Sequence, residues 1–141
     1  MSTFFIRLLL LSLLLDGCEE TFPVYQSYCQ KSKTDFPSCL HYMVEAPVEK
    51  ERIEKAFGLP NDPSCPYTVS LTKYCVGKCT NPYVKSVGGD FNGYVRIEVK
   101  KGFKCYYKIQ SDYKNSMKAA FERVLKAVEK EHKSPENAKK I

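Results

Sequence analysis

Residues 93–109 read GYVRIEVKKGFKCYYKI, and their pattern decides the fold. Val95, Ile97 and Val99 alternate with Tyr94, Arg96 and Glu98, the period of two of a half-buried strand. Lys100, Lys101 and Gly102 predict a short turn, with glycine free to take positive φ. Continued alternation beyond the turn puts Phe103, Cys105, Tyr107 and Ile109 on one face and Lys104, Tyr106 and Lys108 on the other. The expectation is a β-hairpin with an apolar, cysteine-bearing face for the core and an outer face rich in Tyr, Lys and Arg.

After the hairpin, Ser111 or Asp112 is expected to cap a long helix over 113–132. Met117, Ala120, Phe121, Val124, Leu125 and Val128 recur at helical spacing and give it one apolar stripe. Residues 133–141 are polar, contain Pro135 and read as a disordered tail. Before the hairpin, residues 67–76 (YTVSLTKYCV) are rich in β-branched and aromatic types and read as a strand. Residues 83–87 suggest a further short strand. A helix is expected from Pro47 to Phe57, with Pro in its first turn, Glu49 and Glu51 at its positive end, and Gly58 and Pro60 to stop it. A shorter helix near Pro37, capped by Asp35, would carry Cys39, Leu40 and Met43. Residues 19–34 lack periodicity and read as an extended arm tied down at Cys29. The fold class is therefore α+β: a small antiparallel sheet of three or four strands packed on a C-terminal amphipathic helix. The hydrophobic strand residues should meet the helix stripe, with Phe121 inside.

The chain opens MSTFFIRLLLLSLLLDGCEE, with one Arg before a short apolar run ended by Asp16. This is the pattern of a secretory signal over residues 1–18, too short to span a bilayer comfortably. Cleavage is expected near Gly17 or Cys18. Leu15-Asp16-Gly17-Cys18 loosely resembles a bacterial lipobox, although Asp16 is a poor residue for that motif. Cutting after Cys18 leaves six cysteines: Cys29, Cys39, Cys65, Cys75, Cys79 and Cys105. An even set behind a secretory signal implies three disulfides in an oxidising, extracellular compartment. Spacing does not choose among the pairings. The inward faces of both strands favour Cys105 joining a cysteine of the 65–79 segment. Residues 19–132 are enough for one domain, with disulfides supplementing a modest core.

The formal net charge is +6, but it is uneven. Residues 19–95 carry eight basic and nine acidic side chains, net −1, whereas residues 96–141 carry thirteen basic and six acidic, net +7. Such asymmetry suggests an acidic partner, or simply a solvated lysine-rich helix.

No nucleophile elbow, phosphate loop or zinc-protease motif is present, and an enzyme is not expected. Small basic ribonucleases use two histidines and a lysine, and His41 and His132 supply that composition without any sequence reason to lie together. Cys75-Val76-Gly77-Lys78-Cys79 has the Cys-x-Gly-x-Cys spacing of cystine-knot growth factors, but only Cys105 follows, too few cysteines for a knot. A zinc site from Cys75, Cys79, Cys105 and a histidine conflicts with oxidised thiols. No cofactor, metal or nucleic acid is expected. A membrane surface is not expected as a partner either, because the stripe of the C-terminal helix suits a core and its polar side carries acids. The candidate binding residues are Tyr94, Arg96, Lys104, Tyr106 and Lys108 on the outer hairpin face, since Tyr and Arg are common interface anchors. The functional expectation is a secreted, monomeric, disulfide-rich binding protein, toxin-like or effector in kind, acting on an extracellular protein such as a receptor or channel. The alternative is a secreted hydrolase acting on an anionic substrate through His41 or His132.

Overall fold

The computed structural model describes residues 21–29, 36–76 and 91–133. The expected signal segment, Cys79, the expected strand over 83–87 and the expected tail beyond residue 133 lie outside them. The described elements run β1 (Val24–Tyr28), β2 (His41–Tyr42), α1 (Pro47–Phe57), β3 (Tyr67–Cys75), β4 (Gly93–Lys101), β5 (Lys104–Tyr113) and α2 (Met117–His132). The class is α+β, with one five-stranded sheet in the order β1-β5-β4-β3-β2. Three or four antiparallel strands were expected. The sheet is instead mixed, because β2 pairs parallel with β3 while every other pair is antiparallel.

The fifth strand comes from the supposed arm. Val24–Tyr28 lies along β5 from Ser111 to Tyr107. It has a neighbour on one side only, and three of its five residues are exposed, which accounts for the missing alternation in VYQSY. The short helix expected near Pro37 is also replaced. Leu40 bridges Asn61, and His41 and Tyr42 pair with Thr68 and Val69. Met43, expected on the helix's apolar side, is exposed.

Helix α1 has the bounds its sequence implies. Pro47 starts it, and Gly58 ends it in the left-handed region at φ 71°, its N–H donating to the Glu54 carbonyl at 2.9 Å. Helix α2 begins four residues later than expected. Ser111 and Tyr113 continue the inward alternation of β5, so the strand runs on to Tyr113. The cap is Ser116, whose Oγ accepts from the Ala119 N–H at 3.0 Å.

Both helices cover the same face of the sheet. Val69 of β3, Val95, Ile97 and Val99 of β4, and Tyr107 and Ile109 of β5 are buried in one core with Ala120, Phe121, Val124, Leu125 and Val128 of α2. Ile53, Ala56 and Phe57 of α1 complete it. The expected stripe therefore packs as its spacing implies, with Phe121 inside. Arg52 of α1 and Glu122 of α2 clasp the two helices through two contacts of 2.7 and 2.8 Å. The hydrogen-bonded guanidinium holds the Glu122 carboxyl below the usual glutamate range. Glu122 thus pairs across helices.

At the end of the sheet, the Tyr113 hydroxyl donates to the Tyr74 carbonyl at 3.0 Å. A Cβ on Gly93 would collide with both groups, so only glycine fits where β3, β4 and β5 converge. Buried Ser111 is satisfied by the Arg123 Nε–H at 2.9 Å.

Two disulfides are described in full: Cys29–Cys105 and Cys39–Cys65. Cys75 is disulfide-bonded as well. The expectation that Cys105 joins the 65–79 segment is corrected, since it is bonded to Cys29 at the end of β1. Among the described residues, no helix is long and apolar enough to cross a membrane.

Candidate binding surface

The face of the sheet opposite the helices is built from the other half of each alternation. Val95, Ile97 and Val99 point to the core, so Tyr94, Arg96, Glu98 and Lys100 point outward. Their cross-strand partners on β5 are Asp112, Gln110, Lys108 and Cys105. On β3 the matching residues are Tyr74, Thr72, Ser70 and Thr68, and on β1 they are Tyr25 and Ser27. Among the described residues, no helix covers this face.

A connected row of side chains crosses it. The rings of Tyr74 and Tyr94 stack with centroids 5.1 Å apart. The Arg96 guanidinium lies 4.8 Å from the Tyr94 ring centroid. Arg96 also donates from Nε and Nη2 to Gln110 Oε1, at 2.9 and 2.7 Å, and Gln110 Nε2 donates to Asp112 Oδ1 at 2.9 Å. A guanidinium has five N–H donors, so this clamp fixes its plane while leaving donors for a carboxylate or carbonyl on a partner. Beside the row, Tyr25, Gln26, Ser27, Arg96, Lys108 and Gln110 line an open depression of about 240 Å³. Tyr25 is 57% exposed and Tyr74 47%.

The sequence candidates divide three ways. Tyr94, Arg96 and Lys108 share this face. Lys104 lies at the far end of the hairpin, paired with Lys101. Tyr106 is turned inward and only 4% exposed, packed against Tyr28, Phe36 and Tyr67 with ring centroids 6.1, 6.1 and 5.6 Å away. The cause is a β-bulge. Tyr107 pairs with Val99 and Cys105 with Lys100, so Tyr106 is an extra residue on β5. Every residue before the bulge changes face. Cys105 therefore moves to the outer parity and meets Cys29, while Phe103 leaves the expected core face and is fully exposed in the turn.

Tyr25, Tyr74, Gln110 and Asp112 belong to the surface and were not among the candidates. Gln110 and Asp112 continue the period of two beyond Lys108, a signal that the early helix start concealed. Tyr25 carried no periodic signal. Among the described residues, the positive excess of the C-terminal half is not gathered here. Lys118, Lys126 and Lys130 are exposed on α2, and the outer sheet face mixes Arg96, Lys100 and Lys108 with Glu98 and Asp112.

The two histidines are not brought together. His41 alternates with buried Tyr42 in β2 and so stands on the outer side. His132 closes α2 on the helical side, its ring centroid 4.1 Å from Phe36 and 5.2 Å from Phe57. It is half-buried among aromatics. With the sheet between them, they cannot share a substrate as acid and base.

Compared with family models, curated proteins and solved structures, the chain finds no match in any of the three.

Proposed function

We propose that this chain is a secreted, disulfide-stapled binding protein, toxin-like or effector in kind, whose outer sheet face docks on an extracellular protein such as a receptor or channel. The observation that carries the reading is the aromatic and guanidinium row Tyr74–Tyr94–Arg96–Gln110 on a face that both helices leave open. Tyrosines supply large contact area at low conformational cost, and a guanidinium held in place loses little further entropy on binding. The disulfides fit an oxidising compartment and hold the strands beneath the face. An acidic group on the partner suits Arg96 and Lys108.

The test is displacement of labelled wild-type protein from intact cells of the tissue it reaches. Unlabelled wild type should compete, whereas the triple variant Tyr25→Ala, Tyr74→Ala, Arg96→Ala should not. Protease treatment of the cells should abolish the saturable binding. Equal competition by the triple variant would reject this face as the docking surface.

A further inference from the structure

The bulge that turns Tyr106 inward also leaves Phe103 standing clear of the fold. It occupies the second position of a two-residue turn, after Gly102 at φ 60°. Among the described residues no large apolar side chain is more exposed. Its neighbours are cationic. Lys101 pairs with Lys104 across the turn, and Lys100 sits opposite Cys105. Lys100 Nζ lies 3.4 Å from Glu98, and Lys101 Nζ lies 5.5 Å from the Tyr67 ring centroid. Among the described residues, no carboxylate pairs with Lys101 or Lys104. The Cys29–Cys105 bond starts one residue beyond Lys104, so the tip projects from a braced hairpin.

We infer that the hairpin tip, residues 100–104, is an anchor for an anionic lipid surface, with Phe103 entering the interface and Lys100, Lys101 and Lys104 reaching the headgroup phosphates. Lone Phe among lysines suits lipid better than a protein pocket. Protein interfaces are depleted in lysine and enclose their aromatic anchors in a desolvated rim, and Phe103 is the one exposed large apolar side chain of residues 100–104. A lipid interface accepts a single convex wedge. Lysine stems are long enough to hold their ammonium groups at the phosphates while the ring lies deeper. Membrane contact by the C-terminal helix is a separate matter, since that stripe is spent on the core. The anchor lies at the end of the sheet and does not rest on the proposed role of Tyr74, Tyr94 and Arg96.

The experiment uses the disulfide-bonded chain with vesicles of phosphatidylcholine alone and of equimolar phosphatidylcholine and phosphatidylserine. Wild type should sediment with the mixed vesicles only, and added salt should release it. Phe103→Ser should lower the partition coefficient roughly tenfold. Lys101→Ala with Lys104→Ala should lower it about thirtyfold, near fivefold for each lysine. Tyr25→Ala with Tyr74→Ala should leave it unchanged, which separates this anchor from the outer face. The chain contains no tryptophan, so Phe103→Trp makes a single reporter whose emission should shift to the blue on mixed vesicles. Wild type that ignores anionic vesicles, or binding without a Phe103→Trp shift, overturns the inference. If Phe103→Ser instead weakens only binding to a protein, the tip serves a protein pocket and the lipid anchor is rejected.

Discussion

The rings of Tyr28 and Tyr106 meet edge-on, with centroids 6.1 Å apart. That contact joins the edge strand β1 to the bulge in β5. It also makes Tyr106 a structural residue, although simple alternation assigns it to the binding face. Tyr106→Ala should therefore destabilise the domain by roughly 3–5 kcal/mol, the range for emptying a buried aromatic site. Phe103→Ser, three residues away but fully exposed, should change stability by less than about 0.5 kcal/mol. Urea unfolding of both variants checks the contrast. A Tyr106→Ala protein as stable as wild type would mean the ring is not in the core.

The bond between Cys29 and Cys105 closes a separation of 76 residues and holds β1 against β5. Removing it with Cys29→Ser and Cys105→Ser should cost about 4 kcal/mol on loop-entropy grounds. It should also raise amide exchange along Val24–Tyr28 before the rest of the sheet. Mass spectrometry of the non-reduced digest should find the 29–105 and 39–65 linkages. A peptide joining Cys105 to Cys65, Cys75 or Cys79 would contradict the fold described here.

Burial pushes the Tyr107 hydroxyl well above the ordinary tyrosine range, helped by the charges of Tyr28 and Glu131. Tyr42 rises through burial and then Glu54, and Tyr28 through burial and its hydrogen bond to Glu131. A folded-state pKa above the unfolded value of 10.0 means the neutral phenols favour the folded state. Their contribution is fully present below about pH 10 and is lost as pH rises from there toward the raised folded values. Tyrosinate absorbance from these three should therefore appear only as the chain unfolds. Ionisation of all ten tyrosines in one ordinary transition, with the fold intact, would contradict their burial.

What the sequence made legible follows from how strongly each residue's environment constrains it. Strand β4 lies in the middle of the sheet with one face buried, so its residues alternate between buried and half-buried from Gly93 to Lys100. The stripe of α2 is equally plain because it packs along most of its length. Tyr106 was misread because a bulge inserts one residue without changing composition. Nothing in KCYYKI marks which residue lacks a partner, yet one slip exchanges the faces of Cys105 and Tyr106. The start of α2 was misread because Ser111, Asp112 and Ser116 are all competent caps. Tertiary pairing with Val24 and Val95 keeps Ser111 in the strand. Half of the outer face was visible from Tyr94, Arg96 and Lys108. Tyr25 and Tyr74 join it only through strand pairing, which local sequence does not encode.

The proposed docking surface is the open sheet face and not the lysine-bearing side of α2. Photo-cross-linking from single sites tests it most directly. A benzophenone side chain replacing Tyr74 should capture one saturable cell-surface protein, and excess unlabelled wild type should suppress the adduct. The same probe replacing Lys126, exposed on α2, should capture none. Efficient, competable capture from position 126 with none from position 74 would contradict the account and move the binding surface to the helix.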